Sequence, residues 1–227
     1  PPARGQRCVP LPAGGGTQRA DRIRAMTASS LDVRRVSGAD LQARLDDVAR
    51  LRVAVFRDWP YLYAGDMDYE RGYLAAYAAS ADSVFVLAFD GDSVVGASTC
   101  IPLADDDDAF QAPFRARGHG VDDVFYFGES VLLPAYRGRG VGHAFFDARE
   151  AHARALGRFR MTAFCAVDRE QDDPRRPAGH RDNDAFWSRR GYVRRPELRM
   201  QLAWDERGRG ECEHTLTFWT RALEHSA

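Results

Sequence analysis

The sequence predicts a single α+β domain built around a mixed sheet, and three observations support this fold class. The chain has 227 residues, 44% of them hydrophobic, which suffices for one substantial core and not for two comfortable domains. Strand-like and helix-like segments follow one another in the order β-α-α-β-β-β-α-β-α-β-β, unlike the strict alternation of a doubly wound parallel sheet. The Asp90–Gly91 step between the second and third strands is a strong hairpin signal.

The elements of the amino-terminal half follow from hydrophobic periodicity. Leu31–Val36 alternates like a strand, and Asp40–Phe56 carries apolar residues at a helical period. A second helix is predicted at Tyr69–Ala79, followed by strands at Val84–Phe89 and Val94–Ile101.

The carboxyl-terminal half alternates strands with helices and closes with an antiparallel pair. The predicted elements are a strand at Asp123–Leu133, a helix at Gly140–Leu156 stopped by Gly157, a strand at Phe159–Val167, a short helix at Asn183–Arg190, and strands at Leu198–Trp204 and His214–Trp219.

Residues 105–120 begin with four consecutive aspartates. We predict a solvated surface loop here, because neighbours on an extended chain cannot converge on one cation, which is the alternative interpretation. The four cysteines form no CxxC pair and the six histidines form no metal pair. The sequence therefore predicts no metal site.

Residues 1–30 differ in kind from the rest of the chain. They are rich in Pro, Gly, Arg and Ser and have no hydrophobic period, which predicts a disordered extension that buries too little apolar area to fold. A transit peptide is the alternative, and Met26 is a candidate natural start. The single domain is accordingly predicted over residues 31–227.

Charge and composition exclude several function classes. The net charge is −1, and the arginines are interleaved with acidic residues, so no nucleic-acid partner is expected. The chain contains no lysine, which excludes a Schiff-base or P-loop lysine mechanism. No apolar stretch approaches the ~20 residues of a membrane span. With the scattered cysteines, these features predict a reduced, cytoplasmic protein without a membrane partner.

Residues 133–143 read LPAYRGRGVGH, at the point where a strand is predicted to become a helix. Without lysine this cannot be a Walker A loop, and the spacing Gly138-x-Gly140-x-Gly142 differs from the dinucleotide fingerprint GxGxxG. The pattern [R/Q]-x-x-G-x-[G/A] fits Arg137, Gly140 and Gly142. A helix N-terminus stabilises an anion, so the segment predicts a phosphate-binding loop rather than a plain tight turn.

At these residues the chain resembles the GNAT superfamily of acyl-CoA-dependent N-acetyltransferases. The segment ESVLLPAYRGRGVG looks like that family's fourth strand and pyrophosphate loop, and NDAFWSRRGY looks like the segment that follows its last helix. Element order agrees over about residues 31–223. The resemblance implies a GNAT-type mixed, mostly antiparallel central sheet flanked by helices.

The resemblance also implies a function. A GNAT enzyme moves an acetyl group from acetyl-CoA to an amine of a small molecule or peptide, by direct transfer within a ternary complex. An acyl-CoA-binding module without turnover is the alternative function. Many relatives dimerise, so the resemblance leaves a homodimer open.

Nine residues are implied to hold coenzyme A. They lie in the strand, the glycine loop and the last helix: Leu132, Leu133, Arg137, Gly138, Arg139, Gly140, Val141, Gly142 and Asn183. Leu132 and Leu133 would pair with the pantetheine arm, although such side chains are more often core, and Asn183 is equally well placed as a helix N-cap.

Glu129 is the candidate base. Alternation places it on one face with Phe127, Val131 and Leu133, where apolar neighbours would raise its pKa. Substrate binding and a structural role are the alternatives, and the β-bulge that the resemblance implies would change its face. The resemblance also implies an oxyanion donor among the backbone N–H groups near Leu132.

The acid that protonates the thiolate has no assigned residue. Trp187 stands where many relatives have tyrosine, and an indole is not a proton acid near neutral pH. Tyr136, Tyr192 or a water are the candidates, with Tyr192 also suited to the core.

The acceptor amine is expected against an aromatic and acidic wall, to which Asp58 and Asp66 contribute the carboxylates. The candidate substrate-binding residues are Trp59, Tyr61, Tyr63 and Trp187, with His180, Arg181 and Asp182 as an opposite wall. Packing between the first two helices is the alternative role for these aromatics.

Overall fold

The computed structural model describes residues 31–224. The predicted disorder of residues 1–30 and the candidate start at Met26 lie outside the described residues.

Seven strands form one sheet in the order β1-β2-β3-β4-β5-β7-β6. The strands are β1 Asp32–Val36, β2 Val84–Asp90, β3 Ser93–Pro102, β4 Val124–Leu132, β5 Met161–Val167, β6 Val193–Glu206 and β7 Gly210–Ala222. Every neighbouring pair is antiparallel except β4 and β5, which run parallel. The prediction of a mixed, mostly antiparallel sheet is confirmed.

Helices cover both faces of the sheet. They are α1 Gly38–Gln42, α2 Leu45–Phe56, α3 Met67–Ala79, α4 Asp108–Ala116, α5 Val141–Leu156 and α6 Asp184–Arg189. Alternate residues of β2 show the two layers, because Phe85 and Leu87 pack with α2 and α3, whereas Val86 packs with Phe145 of α5. No helix within residues 31–224 is long and apolar enough to cross a membrane.

The helix predicted at residues 40–56 is two helices. The chain turns at Ala43 and Arg44, and α2 restarts where the Arg44 carbonyl accepts the Val48 N–H at 3.1 Å. Leu41 and Val48 stay in the same core on either side of the turn. The hydrophobic period therefore continues across a break that it could not reveal.

The surface loop predicted from the aspartate run is wrong. Asp107 caps α4 by accepting the Ala109 N–H at 2.8 Å, and Phe110 and Phe114, four residues apart, are buried beneath the helix. The acidic run thus begins an amphipathic helix.

Two irregularities of β4 open the sheet on the side that leads to the glycine segment of residues 137–142. Pairing with β5 ends at Tyr126 and Ala163, after which the strands part. The register between β3 and β4 shifts beside Thr99, which is the expected bulge. As a result Phe127 packs with the α5 layer while Glu129 turns to Arg52 of α2, so the prediction that Phe127 and Glu129 share a face is wrong.

Candidate active site

A cleft of about 210 Å³ lies between the parted ends of β4 and β5 and is called here the β4–β5 cleft. The helix α5 forms its floor and α6 its outer wall. Its polar or ionisable lining residues are Glu129, Ser130, Arg149, Cys165, Asn183 and Trp187, set among phenylalanines and Leu132.

The glycine loop stands at the start of α5, beside this cleft. Gly138 and Gly140 have φ of +76° and +81°, and a Cβ on either would meet no atom within 4 Å. The left-handed backbone therefore requires glycine, and the space outside it is open. Val141 begins α5, whose first N–H groups have no acceptor within the helix, and Gly142 lines the cleft.

The flanking residues of the loop have separate placements. Arg137 and Arg139 are exposed and donate to the carbonyls of Leu132 and Ala135, at 3.3 and 3.0 Å. Leu132 lines the cleft. Leu133 does not, because its N–H donates to the Val95 carbonyl at 3.0 Å and its side chain packs on the core.

Glu129 is buried and only half paired. Its Oε2 accepts from Arg52 Nη1 at 2.5 Å, and Arg52 Nε donates to Oε2 of Glu70. Within residues 31–224, the Oε1 atoms of both glutamates have no hydrogen-bond partner. Burial raises the pKa of Glu129, and the charge of Arg52 opposes that shift.

Arg149 is a buried cation in the wall of the same cleft. Its Nη1 donates to the carbonyls of Thr99 and Glu129, both at 3.3 Å, and its Nη2 donates to Ser130 Oγ at 3.0 Å. No carboxylate of the described residues pairs with it, and burial lowers its pKa to about 10. A buried guanidinium with neutral partners suggests a site where negative charge develops.

The sequence prediction missed Arg52, Glu70 and Arg149, although a signal was present. Each lies four residues from a buried apolar neighbour on its helix: Arg52 from Val48, Glu70 from Leu74, and Arg149 from Phe145. A charged residue on the apolar face of a predicted helix is therefore the pattern that could have found them.

The structure brings neither tyrosine proposed as an acid into the cleft. The Tyr136 hydroxyl donates to Asp90 in the β2–β3 hairpin at 2.8 Å, which raises the tyrosine's pKa. Tyr192 is a core residue whose hydroxyl donates to Glu150 at 3.3 Å, and burial raises its pKa. Trp187 does line the cleft.

The predicted acceptor wall is divided between two cavities. Trp59 lines a cleft of about 460 Å³ beside α6 together with His180 and Asp182, and Asn183 and Trp187 border both this cleft and the β4–β5 cleft. Asn183 occupies the N-cap position of α6 without a side-chain capping bond.

Tyr61 and Tyr63 face another cavity, away from Trp59. It is lined by Arg52 and Glu70 and by a ring of aromatic side chains. The sequence thus predicted the aromatic residues of this segment as one wall, whereas the structure turns them in two directions.

A family model described as acetyltransferase (GNAT) family matches residues 48–176. The chain belongs to the GNAT family. The matched range contains most of α2, all of α3, the glycine loop, and β4, β5 and α5 around the cleft, and it ends before α6. The predicted resemblance to the GNAT family and the predicted fold are therefore confirmed. Because this family uses acetyl-CoA, the cofactor prediction is supported at the level of the family.

Solved structures share the GNAT fold with this chain. A GCN5-related N-acetyltransferase from Kribbella flavida is 20% identical, covering 85% of this chain and 98% of that one, with a TM-score of 0.50. The yncA protein of Salmonella typhimurium, solved with its cofactor acetyl-CoA, is 14% identical over 87% and 96%, with a TM-score of 0.51.

An N-acetyltransferase from Staphylococcus aureus Mu50 is 12% identical over 86% and 100%, with a TM-score of 0.54. Identities this low establish the fold alone. No curated protein sequence matches the chain.

Proposed function

We propose that this GNAT protein is an N-acetyltransferase that moves an acetyl group from acetyl-CoA to an amine of a small molecule or peptide by direct transfer. The observation that carries the proposal is that Glu129, whose buried carboxylate is only half paired, belongs to the opened part of β4 that lines a cleft beside the glycine loop.

The residues present fit coenzyme A. The open left-handed turn at Gly138 and Gly140, followed by the N-terminus of α5, suits a pyrophosphate. Arg137, Arg139, Val141 and Gly142 complete this set. Leu132 and Asn183 border the adjoining cleft, where a pantetheine arm would lie. The Leu133 N–H already donates to the Val95 carbonyl, so it is not available to that arm.

Acetyl-CoA supplies a thioester whose carbonyl carbon can accept an amine. Glu129 takes the amine proton, directly or through a water, and its raised pKa brings it closer to neutral pH, which suits a general base. Arg52 keeps the carboxylate ionised before transfer. A C–N bond forms, the C–S bond breaks, and the bond's electron pair remains on sulfur.

Arg149 supplies the positive charge for the leaving sulfur. It is the cationic side chain among the described residues that line the β4–β5 cleft, and it is held in place by three hydrogen-bond acceptors of β3 and β4. A charge fixed in a dry site stabilises a developing anion without reorganisation. Transfer can therefore proceed without a tyrosine at position 187.

The alternative function is an acyl-CoA-binding module without turnover. The observation that favours it is the absence of a tyrosine among the described residues lining the β4–β5 cleft, where Trp187 stands instead. Binding of acetyl-CoA would be common to both functions, and transfer to an amine would separate them.

Thermal unfolding with acetyl-CoA tests the cofactor assignment, with ATP and NAD as controls at equal concentration. At ~100 times Kd the ligand should stabilise the fold by about 2.7 kcal/mol, a shift of roughly 5–10 °C. A panel of amines with acetyl-CoA, monitored for free thiol, then tests transfer. No shift, or a shift with ATP or NAD instead, contradicts the proposal.

A further inference from the structure

The cavity that receives Tyr61 and Tyr63 is called here the aromatic cavity. Its volume is about 70 Å³, and it lies between the end of α2, the start of α3 and β6. Five aromatic side chains line it together with one carboxylate and the guanidinium that pairs with it: Phe56, Tyr61, Tyr63, Tyr69, Trp204, Glu70 and Arg52. Tyr69 is 54% exposed, so the rim of the cavity reaches solvent.

The charges beneath this cavity do not balance. Glu70 is fully buried, and one guanidinium, that of Arg52, serves both Glu70 and Glu129. Within the described residues Oε1 of Glu70 makes no well-formed hydrogen bond, although the Tyr63 hydroxyl lies close enough that burial and this carboxylate together raise the tyrosine's pKa. An unpaired buried carboxylate oxygen is costly, and Arg149 does not relieve it because its hydrogen bonds go to other acceptors.

The surface beyond the cavity is acidic. A groove of about 290 Å³ shares Tyr63, Tyr69 and Trp204 with the aromatic cavity. Asp66, Asp205 and Glu211 also line it, and none of these carboxylates forms a salt bridge within residues 31–224. No arginine or histidine of the described chain lines this groove. Such a surface raises the local concentration of cations.

We propose that the aromatic cavity binds an alkylammonium group of the acceptor, with Glu70 as its counter-ion. This inference rests on the proposed transferase function and names its substrate class, an amine that carries a second, cationic ammonium group. Aromatic faces attract ammonium ions, and the carboxylate accepts the N–H donors. A water molecule occupies about 30 Å³ in the liquid, so the cavity has room for an ammonium group with only a few heavy atoms.

The ammonium bound here differs from the amine that is acetylated. An attacking amine needs a free lone pair and is uncharged, whereas the site is built for a cation. Glu70 also contacts the side of Arg52 away from Glu129, since Arg52 donates through Nε to one and through Nη1 to the other. The reacting amine lies toward Glu129 and the second ammonium toward Glu70.

Linear diamines and the amino alcohols of equal length test this assignment. With acetyl-CoA saturating, kcat/KM for the diamine should exceed that for the amino alcohol on the order of 10- to 100-fold. Glu70→Gln should bring the ratio close to one. Asp68→Asn, which removes an exposed charge from the same helix, should leave the ratio unchanged. An equal ratio in Glu70→Gln and the unaltered protein would overturn the proposal.

Direct binding provides a readout that does not depend on turnover. Titration with ethylammonium, followed by tryptophan fluorescence, should saturate, and titration with ethanol should not. Tyr69→Ala, at an exposed position that should not unfold the chain, should weaken the ammonium binding several-fold. If no amine is acetylated but ethylammonium binds through Glu70, the transferase function fails and the cation site stands. Absence of saturable ethylammonium binding refutes the site.

Discussion

Glu129 and Glu206 are both buried glutamates, and they differ in how completely they are paired. Glu206, at the end of β6, accepts from Arg169 Nη1 at 3.0 Å through Oε2 and from Arg175 through Oε1, and Arg209 lies 3.9 Å away. Glu129 has one guanidinium, which it shares with Glu70, and a free Oε1 within the described chain. Both carboxylate oxygens of Glu206 are paired, whereas one oxygen of Glu129 is not.

The ion pairs of Glu206 hold a loop in place. Arg169, besides pairing with Glu206, donates to the carbonyls of Pro60 and Tyr61, at 2.7 and 3.1 Å. It thereby ties the aromatic segment after α2 to the base of the β6–β7 hairpin. Because nearly all buried polar groups in folded proteins are satisfied, we expect Glu206 to stabilise the fold, and the open Oε1 of Glu129 agrees with its proposed role as the base.

Glu206→Gln should give the largest effect, and it should be on stability. Breaking a buried, multiply paired charge costs about 3–5 kcal/mol, so the unfolding midpoint should fall by roughly 6–20 °C. The rate constant kcat of the folded fraction should stay within about threefold. Thermal unfolding measures the midpoint, and steady-state kinetics below that temperature measure kcat.

Glu197→Gln provides the matched control. Glu197 is exposed and lies 3.9 Å from Arg195, a pairing that contributes at most about 1 kcal/mol. If Glu206→Gln unfolds no more easily than Glu197→Gln, the structural role of Glu206 is refuted.

Glu129→Gln should show the opposite pattern. We expect kcat to fall on the order of 10²-fold or more while the affinity for acetyl-CoA is retained. The stability loss should be smaller than for Glu206→Gln, because Arg52 keeps Glu70 as a one-to-one partner. The wild-type rate should rise with pH as Glu129 ionises, at a pH above the usual range for a glutamate, and this limb should vanish in the variant. Unchanged turnover would remove Glu129 as the base.

Arg149→Met should lower kcat by about 10- to 100-fold, because the negative charge that develops on the leaving sulfur loses its cationic partner. Coenzyme A bound to the wild type should titrate its thiol at a lower pH than free coenzyme A, and the variant should abolish this difference. Ultraviolet absorbance of the thiolate follows that titration. Arg154→Met on the same helix, where Arg154 is partly exposed, is the control. A thiol pKa that is equal in both variants contradicts the assignment.

The sequence predicted the parts of the site that are contiguous in the chain. The glycine loop and the following helix obey local rules, since a left-handed turn and a helix N-terminus need only neighbouring residues. The charge set around Glu129 is different, because Arg52 lies 77 residues earlier and meets Glu129 only through helix packing and the β4 bulge. The loss of Tyr136 and Tyr192 as acids has the same origin, since only tertiary contacts show which hydroxyls are engaged elsewhere.

Substitution of His214, which lies beside Glu206, should give the smallest effect, a change in how stability depends on pH. It stacks on Trp204 at 3.8 Å and lies 3.2 Å from Glu206, yet burial and the arginines around Glu206 lower its pKa to about 4. His214 becomes protonated near pH 6.5 in the unfolded chain but only near pH 4 in the folded chain. The free energy of unfolding should therefore fall as pH drops from about 6.5 to about 4. Asp106, whose pKa burial raises to about 6, acts in the opposite direction over this range.

Urea unfolding of His214→Phe and of the wild type, at several pH values between about 4 and 6.5, isolates the contribution of the histidine. The variant should lose less stability on acidification, and an equal loss in both proteins would show that His214 is protonated in the fold.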